Sequence, residues 1–206
     1  MMWITNTLKI MASTIEQRLA ALKQFQGHEI VKGSVWLGSG RDAQKLEKLE
    51  EIGITDILNC ADDVPNYHQT LKLFKYTNLD VADFGADKGI SRVFEQSNAL
   101  IKDIIEDEKR SVFVHCAAGQ NRSPTIVIAA IMTIHKISLK EAYVYVRTRR
   151  PGICPFRDNR AELIKYEKQL YGKTTMSEDS FLEFNNWRLN DDGTLKDDDN
   201  IDTTEK

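Results

Sequence analysis

The segment His115-Cys116-Ala117-Ala118-Gly119-Gln120-Asn121-Arg122-Ser123-Pro124 places five residues between a cysteine and an arginine, and is flanked by apolar runs on both sides. A spacer of that length can curl the backbone into a cup whose N–H groups turn inward, at the positive end of the following helix. Such a cup takes an anion. Arg122 adds a planar fork that grips two phosphate oxygens at once, and Gly119 allows the backbone conformation or close approach that the curl requires. Ala117, Ala118, Gly119, Gln120 and Asn121, together with Arg122, are therefore the candidate phosphate-binding residues. The same surroundings favour a thiolate at Cys116: a free thiol ionises near about 8.5, and activated cysteines fall in the ~3.5–7.5 range. A thiolate attacking phosphorus in line forms a phosphocysteine while the arginine stabilises the equatorial oxygens. Ser123 can donate its hydroxyl to the sulfur and ease its departure in the second step. His115 is expected to orient the loop by hydrogen bonding.

Departure of an alkoxide or phenoxide needs a proton, and hydrolysis of the phosphocysteine needs a base; one carboxylic acid can serve both steps in turn. Leu79-Asp80-Val81-Ala82-Asp83-Phe84-Gly85-Ala86-Asp87 offers three aspartates between an extended segment and a helix. Asp83 is the middle candidate, flanked by Asp80 and Asp87. Asn59 is expected to brace the loop. Cys60, at the end of a strand expected to neighbour the loop, is placed to trap an oxidised Cys116 as a disulfide.

The elements that position these groups follow from apolar periodicity. Val35-Trp36-Leu37 and residues 55–59 read as strands, Leu73 to Leu79 as extended, and Ser111 to His115 as a short buried strand. Helices are expected over Ala43–Ile52, closed by Gly53, and over Ser91–Glu108. Pro124 suits a first helical turn, and the run from Ile126 to Ile134 is apolar on nearly every face, which marks a central helix. Ser138 and Glu141 form a capping box that opens a helix to about Arg149, and a last helix is expected over Arg160–Tyr171. Arg149 and Arg150 either complement that helix C-terminus or dock a second acidic group of a substrate. Near the start, Ser13 and Glu16 make another capping box with Ile15, Leu19 and Leu22 at helical spacing, so residues 14–25 are expected to be an amphipathic helix. Alternating strands and helices imply one α/β domain with a central, mostly parallel sheet flanked by helices.

HCAAGQNRSPT resembles the protein tyrosine phosphatase signature, HCxxGxxR followed by Ser or Thr, and Arg122-Ser123-Pro124-Thr125 looks like the dual-specificity branch. Val35-Trp36-Leu37-Gly38-Ser39 is similar to that branch's opening strand and turn, and Gly53 to Asn59 to its next strand; the likeness covers about residues 28–172. It implies a protein tyrosine phosphatase-like fold and hydrolysis of phosphotyrosine and phosphoserine or phosphothreonine through a cysteinyl phosphate, with no metal or cofactor. In this family the acid lies about thirty residues before the nucleophile, past a Tyr-bearing strand, which points to Asp83. The chain departs from the family at Pro155-Phe156, where Pro-Asn is common. Asn121, just before the arginine, is similar to related RNA 5′-triphosphatases. RNA 5′-triphosphatase, phosphoinositide or phosphoglycan phosphatase, and a catalytically idle phosphoprotein-binding module are the alternatives.

The 206 residues suffice for one domain with extensions: a helical extension over residues 1–27, the catalytic domain over 28–172 and an acidic, disordered tail over 173–206. Residues 173–206 carry ten acidic against four basic residues, which leaves residues 1–172 at about +3, a small excess that does not point to nucleic acid. Phe181, Leu182, Phe184 and Trp187 are a candidate docking segment within the tail. Cysteines at 60, 116 and 154 have neither zinc-like spacing nor an even count, so a reducing interior is expected. With no secretory core, Met2 in place of a myristoylation glycine and no spanning run, the expectation is a cytoplasmic protein, with the nucleus as the alternative, acting on phosphorylated proteins away from membranes.

Overall fold

A computed structural model of the chain describes residues 24–83 and 88–181. The expected helix over residues 14–25 and the candidate acid Asp87 lie outside these, apart from residues 24 and 25. Strand β1 (His28–Val31) turns through Gly33, at φ +76°, into β2 (Val35–Ser39). This hairpin went unread in the sequence, where the only signal is Lys32-Gly33-Ser34 between two short apolar pieces. A single turn α1 (Gly40–Ala43) and helix α2 (Leu46–Glu51) replace the one helix expected over Ala43–Ile52. The cause is a capping box: Ser39 and Asp42 satisfy each other's backbone N–H and start the turn early, and the chain breaks at Gln44-Lys45.

Strands β3 (Asp56–Ala61), β4 (Lys75–Val81) and β5 (Val112–Cys116) follow, the last two separated by a 3₁₀ turn (Ile90–Val93) and helix α3 (Phe94–Glu106). The sheet order is β1-β2-β5-β3-β4, antiparallel only at β1. Every residue of β3 and β5 is buried, as central strands of a parallel sheet covered on both faces require. Helices α4 (Arg122–His135), α5 (Leu139–Arg149) and α6 (Arg157–Tyr171) complete the domain. Residues 122–132 of α4 are all buried, so this helix is the centre of the main core, while Leu49, Ile57, Phe74 and Phe113 build a smaller core on the opposite face of the sheet. Among the described residues no helix is long and apolar enough to cross a membrane.

The packed chain runs past Gly172, where the acidic tail was expected to begin. Residues 173–181 fold back onto the domain because Glu167, itself buried, accepts hydrogen bonds from Leu139 N, Thr175 N and Thr175 Oγ1 at 2.7–2.8 Å. Three donors offset the cost of burying that carboxylate. Phe181 then packs edge-on against Tyr143, with centroids 4.9 Å apart. Of the candidate docking segment, Phe181 is thus a core residue; Leu182, Phe184 and Trp187 lie outside the described residues.

Candidate active site

Cys116 ends β5, where Ser39 of β2 is its register partner and Asn59 of β3 is paired with the preceding His115. The loop that follows is held from outside by its carbonyl groups. Ala117 O accepts from Gly40 N at 3.0 Å, Gly119 O from Arg150 Nε at 3.0 Å, Gln120 O from Cys154 N at 2.7 Å and Asn121 O from Thr125 N at 3.1 Å. With the carbonyls bonded outward the amide N–H groups turn the other way, and among the described residues those of Ala117 to Asn121 donate to no protein acceptor. Gly119, at φ +68°, makes the curl possible: a Cβ there would lie 2.5 Å from Gly38 O. Helix α4 starts at Arg122 with no side-chain cap, so its first N–H groups are open to the same anion.

Inside the cup the Cys116 side chain is 2% exposed, and Ser123 Oγ donates to its Sγ at 3.2 Å. Arg122 is 1% exposed; its Nη1 donates to Asp63 Oδ1 at 2.7 Å and to Val81 O at 3.0 Å, with Asp62 Oδ1 at 3.5 Å. Burial works against the guanidinium charge, but Asp63, Cys116 and Asp83 outweigh it and raise its pKa. Arg122 in turn holds the Asp63 carboxyl below its ordinary value. Nε and Nη2 are buried without a hydrogen bond, Nη2 facing Asp83 Oδ2 at 3.1 Å as an ion pair only. Two unsatisfied donors of one planar fork are what a phosphate would fill. Asp63, on Nη1 and with its side chain 57% exposed, does not occupy those two donors.

Of the two candidate aspartates among the described residues, Asp80 and Asp83, it is Asp83 that reaches Arg122. A bulge delivers it: the β3–β4 register shifts between Asn59 and Ala61, and Asp80 takes φ +50°, with its carbonyl held by Arg92 Nη2 at 2.8 Å. Asp80 is therefore part of the β4 bulge, not of the cup. Ala117, Ala118 and Gln120 are exposed at the mouth, whereas Asn121 is buried and its side chain reaches Asp83 Oδ1 at 2.8 Å. Asn59 braces a different loop from the one expected: its amide donates to Val64 O and Asn66 Oδ1 and accepts from Ala61 N, fixing the segment that carries Asp62 and Asp63. His115 is buried and stacked on Phe113; its Nδ1 has no hydrogen-bond partner, and burial pushes its pKa down to about 4 despite the Cys116 backbone. It is uncharged at neutral pH.

Sequence reasoning missed Asp63 and the use made of Arg150. Arg150, 8% exposed, carries no docking surface; its Nη1 donates to Gln26 O at 2.6 Å and meets His28 Nδ1 at 2.9 Å while Nε holds Gly119. Neither residue has a local sequence signal, since each acts across the fold. Among the described residues no three His, Cys, Asp or Glu are grouped to hold a metal.

Cys60 follows the register pair Asn59–His115, so it lies one rung from Cys116 on adjacent strands, about 5 Å apart. That spacing permits a disulfide. Burial, then the neighbouring Cys116, raises the Cys60 pKa well above its ordinary value, which keeps it a thiol. Mild peroxide is expected to convert Cys116 to the sulfenic acid, which Cys60 condenses with, losing water. Peptide mapping that finds no Cys60–Cys116 link, with activity that dithiothreitol does not restore, would exclude this.

The sequence model described as "Dual specificity phosphatase, catalytic domain" matches residues 35–169. Human dual specificity protein phosphatase 14 is 34% identical over 172 residues, covering 80% of this chain and 83% of that one. Among solved structures, the human tyrosine phosphatase-like serine/threonine/tyrosine-interacting protein is 32% identical with a TM-score of 0.61, over 71% of this chain and 98% of that one. Human DUSP28, at 24% identity and a TM-score of 0.63 over 70% of this chain and 94% of that one, shares the fold.

Proposed function

The chain belongs to the dual-specificity phosphatase family, and from that premise we propose that it hydrolyses phosphotyrosine and phosphoserine or phosphothreonine in proteins through a phosphocysteine. The catalytic unit runs from residue 28 and takes in the packed segment to 181. The observation that carries the reading is the ring of unpaired N–H groups around Cys116, beside an arginine with two unsatisfied donors. Phosphate entering this ring takes Nε and Nη2 of Arg122. Cys116 Sγ attacks phosphorus, the ester P–O bond breaks, and Asp83 passes its proton to the departing oxygen. Asp83 then takes a proton from water as that water attacks phosphorus, and the P–S bond breaks with Ser123 donating to the leaving sulfur.

One phosphate fits this site better than several. The exposed mouth residues Ala117, Ala118 and Gln120 are neutral, so beyond Arg122 the loop supplies no cationic side chain. Each further phosphate of an inositol lipid or a 5′-triphosphate would be desolvated without compensation. Asn121, the loop's likeness to RNA 5′-triphosphatases, has its side chain occupied by protein groups. Phosphotyrosyl peptides are therefore expected to exceed both polyphosphorylated classes in kcat/KM at equal ionic strength. A higher kcat/KM on 5′-triphosphorylated RNA or on a phosphoinositide would overturn the substrate assignment and leave the cysteine chemistry standing.

A further inference from the structure

Every polar atom of the Asn121 side chain is engaged. Nδ2 donates to Asp83 Oδ1 at 2.8 Å, and Oδ1 accepts from the backbone N–H of Phe156 at 2.7 Å and from Asn159 Nδ2 at 2.8 Å. The peptide N–H fixes the amide's direction: it can meet only an acceptor, so the oxygen faces Phe156 and the NH₂ group must face the carboxylate. Asn121 is buried, so a rotation away would cost its own amide these three hydrogen bonds. Its partners sit at a helix start. Asn121 precedes the first turn of α4, Phe156 precedes that of α6, and Asn159 lies within α6. One side chain thus ties Asp83 to the starts of two helices. The other Asp83 oxygen, Oδ2, remains 3.1 Å from Arg122 Nη2, on the side of the cup.

We propose that Asn121 is the positioning residue of the general acid: its amide, set by Phe156 and Asn159, holds Asp83 Oδ1 so that Oδ2 faces the reacting oxygen in both steps. The proposal rests on the reading of Asp83 as the acid. It divides Asn121 in two, with the backbone N–H serving the phosphate cup and the side chain serving the acid. A serine hydroxyl would carry donor and acceptor on one short atom, whereas the amide places them on two atoms facing opposite ways, and aspartate would set one carboxylate against another.

Loss of positioning should show only where protonation of the leaving group matters. Asn121→Ala is expected to lower kcat/KM on phenyl phosphate about tenfold more than on an activated nitrophenyl phosphate, a fraction of the full worth of an acid. Inhibition by inorganic phosphate should stay within about twofold, showing an intact cup. Asn159→Ala, which removes one of the two groups that orient the amide, should shift the same ratio less, and it carries the test if Asn121→Ala does not fold. In an Asp83→Ala background neither change should add a leaving-group-dependent loss. Equal losses on both aryl phosphates, or a selective loss that persists without Asp83, would overturn the proposal. If Asp83→Ala is selective and the asparagine variants are not, only the positioning role falls; if Asp83→Ala is itself unselective, the acid assignment falls with it.

Discussion

Cys116→Ser is expected to abolish turnover, by about 10⁴-fold or more, while the protein still binds inorganic phosphate. The substitution removes the nucleophile and almost nothing else. The N–H groups of Ala117 to Asn121 belong to the backbone, and the bonds that turn them inward run from Gly40, Arg150, Cys154 and Thr125 to the loop carbonyls. None involves the sulfur. Arg122 keeps Asp63 and Val81 as partners, and the serine hydroxyl can still meet Ser123. Phosphate at about 100 times its Kd should therefore add about 2.7 kcal/mol to stability, read as a rise in the melting temperature of the variant. Hydrolysis at near wild-type rate would dismiss the covalent route. Loss of the phosphate-induced rise together with activity would mean that the cup depends on the sulfur after all.

The cup was legible in the sequence because its parts are contiguous. A buried strand, a Cys-to-Arg spacer containing glycine, and an apolar helix opened by Pro124 describe a loop whose geometry follows from local chain constraints. The proposed acid was legible only in part. Three aspartates lie at or beyond the end of β4, and what carries Asp83 rather than Asp80 toward Arg122 is the bulge at Asp80, which depends on pairing with β3 and on Arg92 from the helical turn beyond. Asp63 and Arg150 were not legible. One meets Arg122 and the other Gly119 across the fold, and no local pattern encodes either contact. The duty of the Asn121 side chain was not legible for the same reason. A polar residue in an anion loop suggests a ligand of the anion, but the tertiary neighbours Asp83, Phe156 and Asn159 claim its side chain first. The segment 173–181 was read as tail from its charge, while Glu167, on the preceding helix, supplies the acceptor that holds it.

Arg122→Lys should cost about 10³–10⁵ in kcat, the worth of an arginine on a transferring phosphoryl group, although the positive charge is kept. The structure separates the two duties of this side chain. Nη1 is structural: it serves Asp63 and the Val81 carbonyl, and an ammonium group can take over one or both. Nε and Nη2 are held ready without hydrogen bonds, as parallel donors of one plane, and lysine has no equivalent pair. Losing two charge-assisted bonds to the equatorial oxygens should also weaken phosphate binding by about tenfold to a hundredfold. The fold itself should survive, because Asp63 is largely exposed and Asp83, which loses its ion pair with Nη2, keeps its hydrogen bond from Asn121. Comparing melting temperatures without phosphate, phosphate Kd and single-turnover rates distinguishes these effects. A lysine variant that melts like the wild type yet keeps kcat within about tenfold would show that charge alone suffices, and the bidentate clamp would have to be given up.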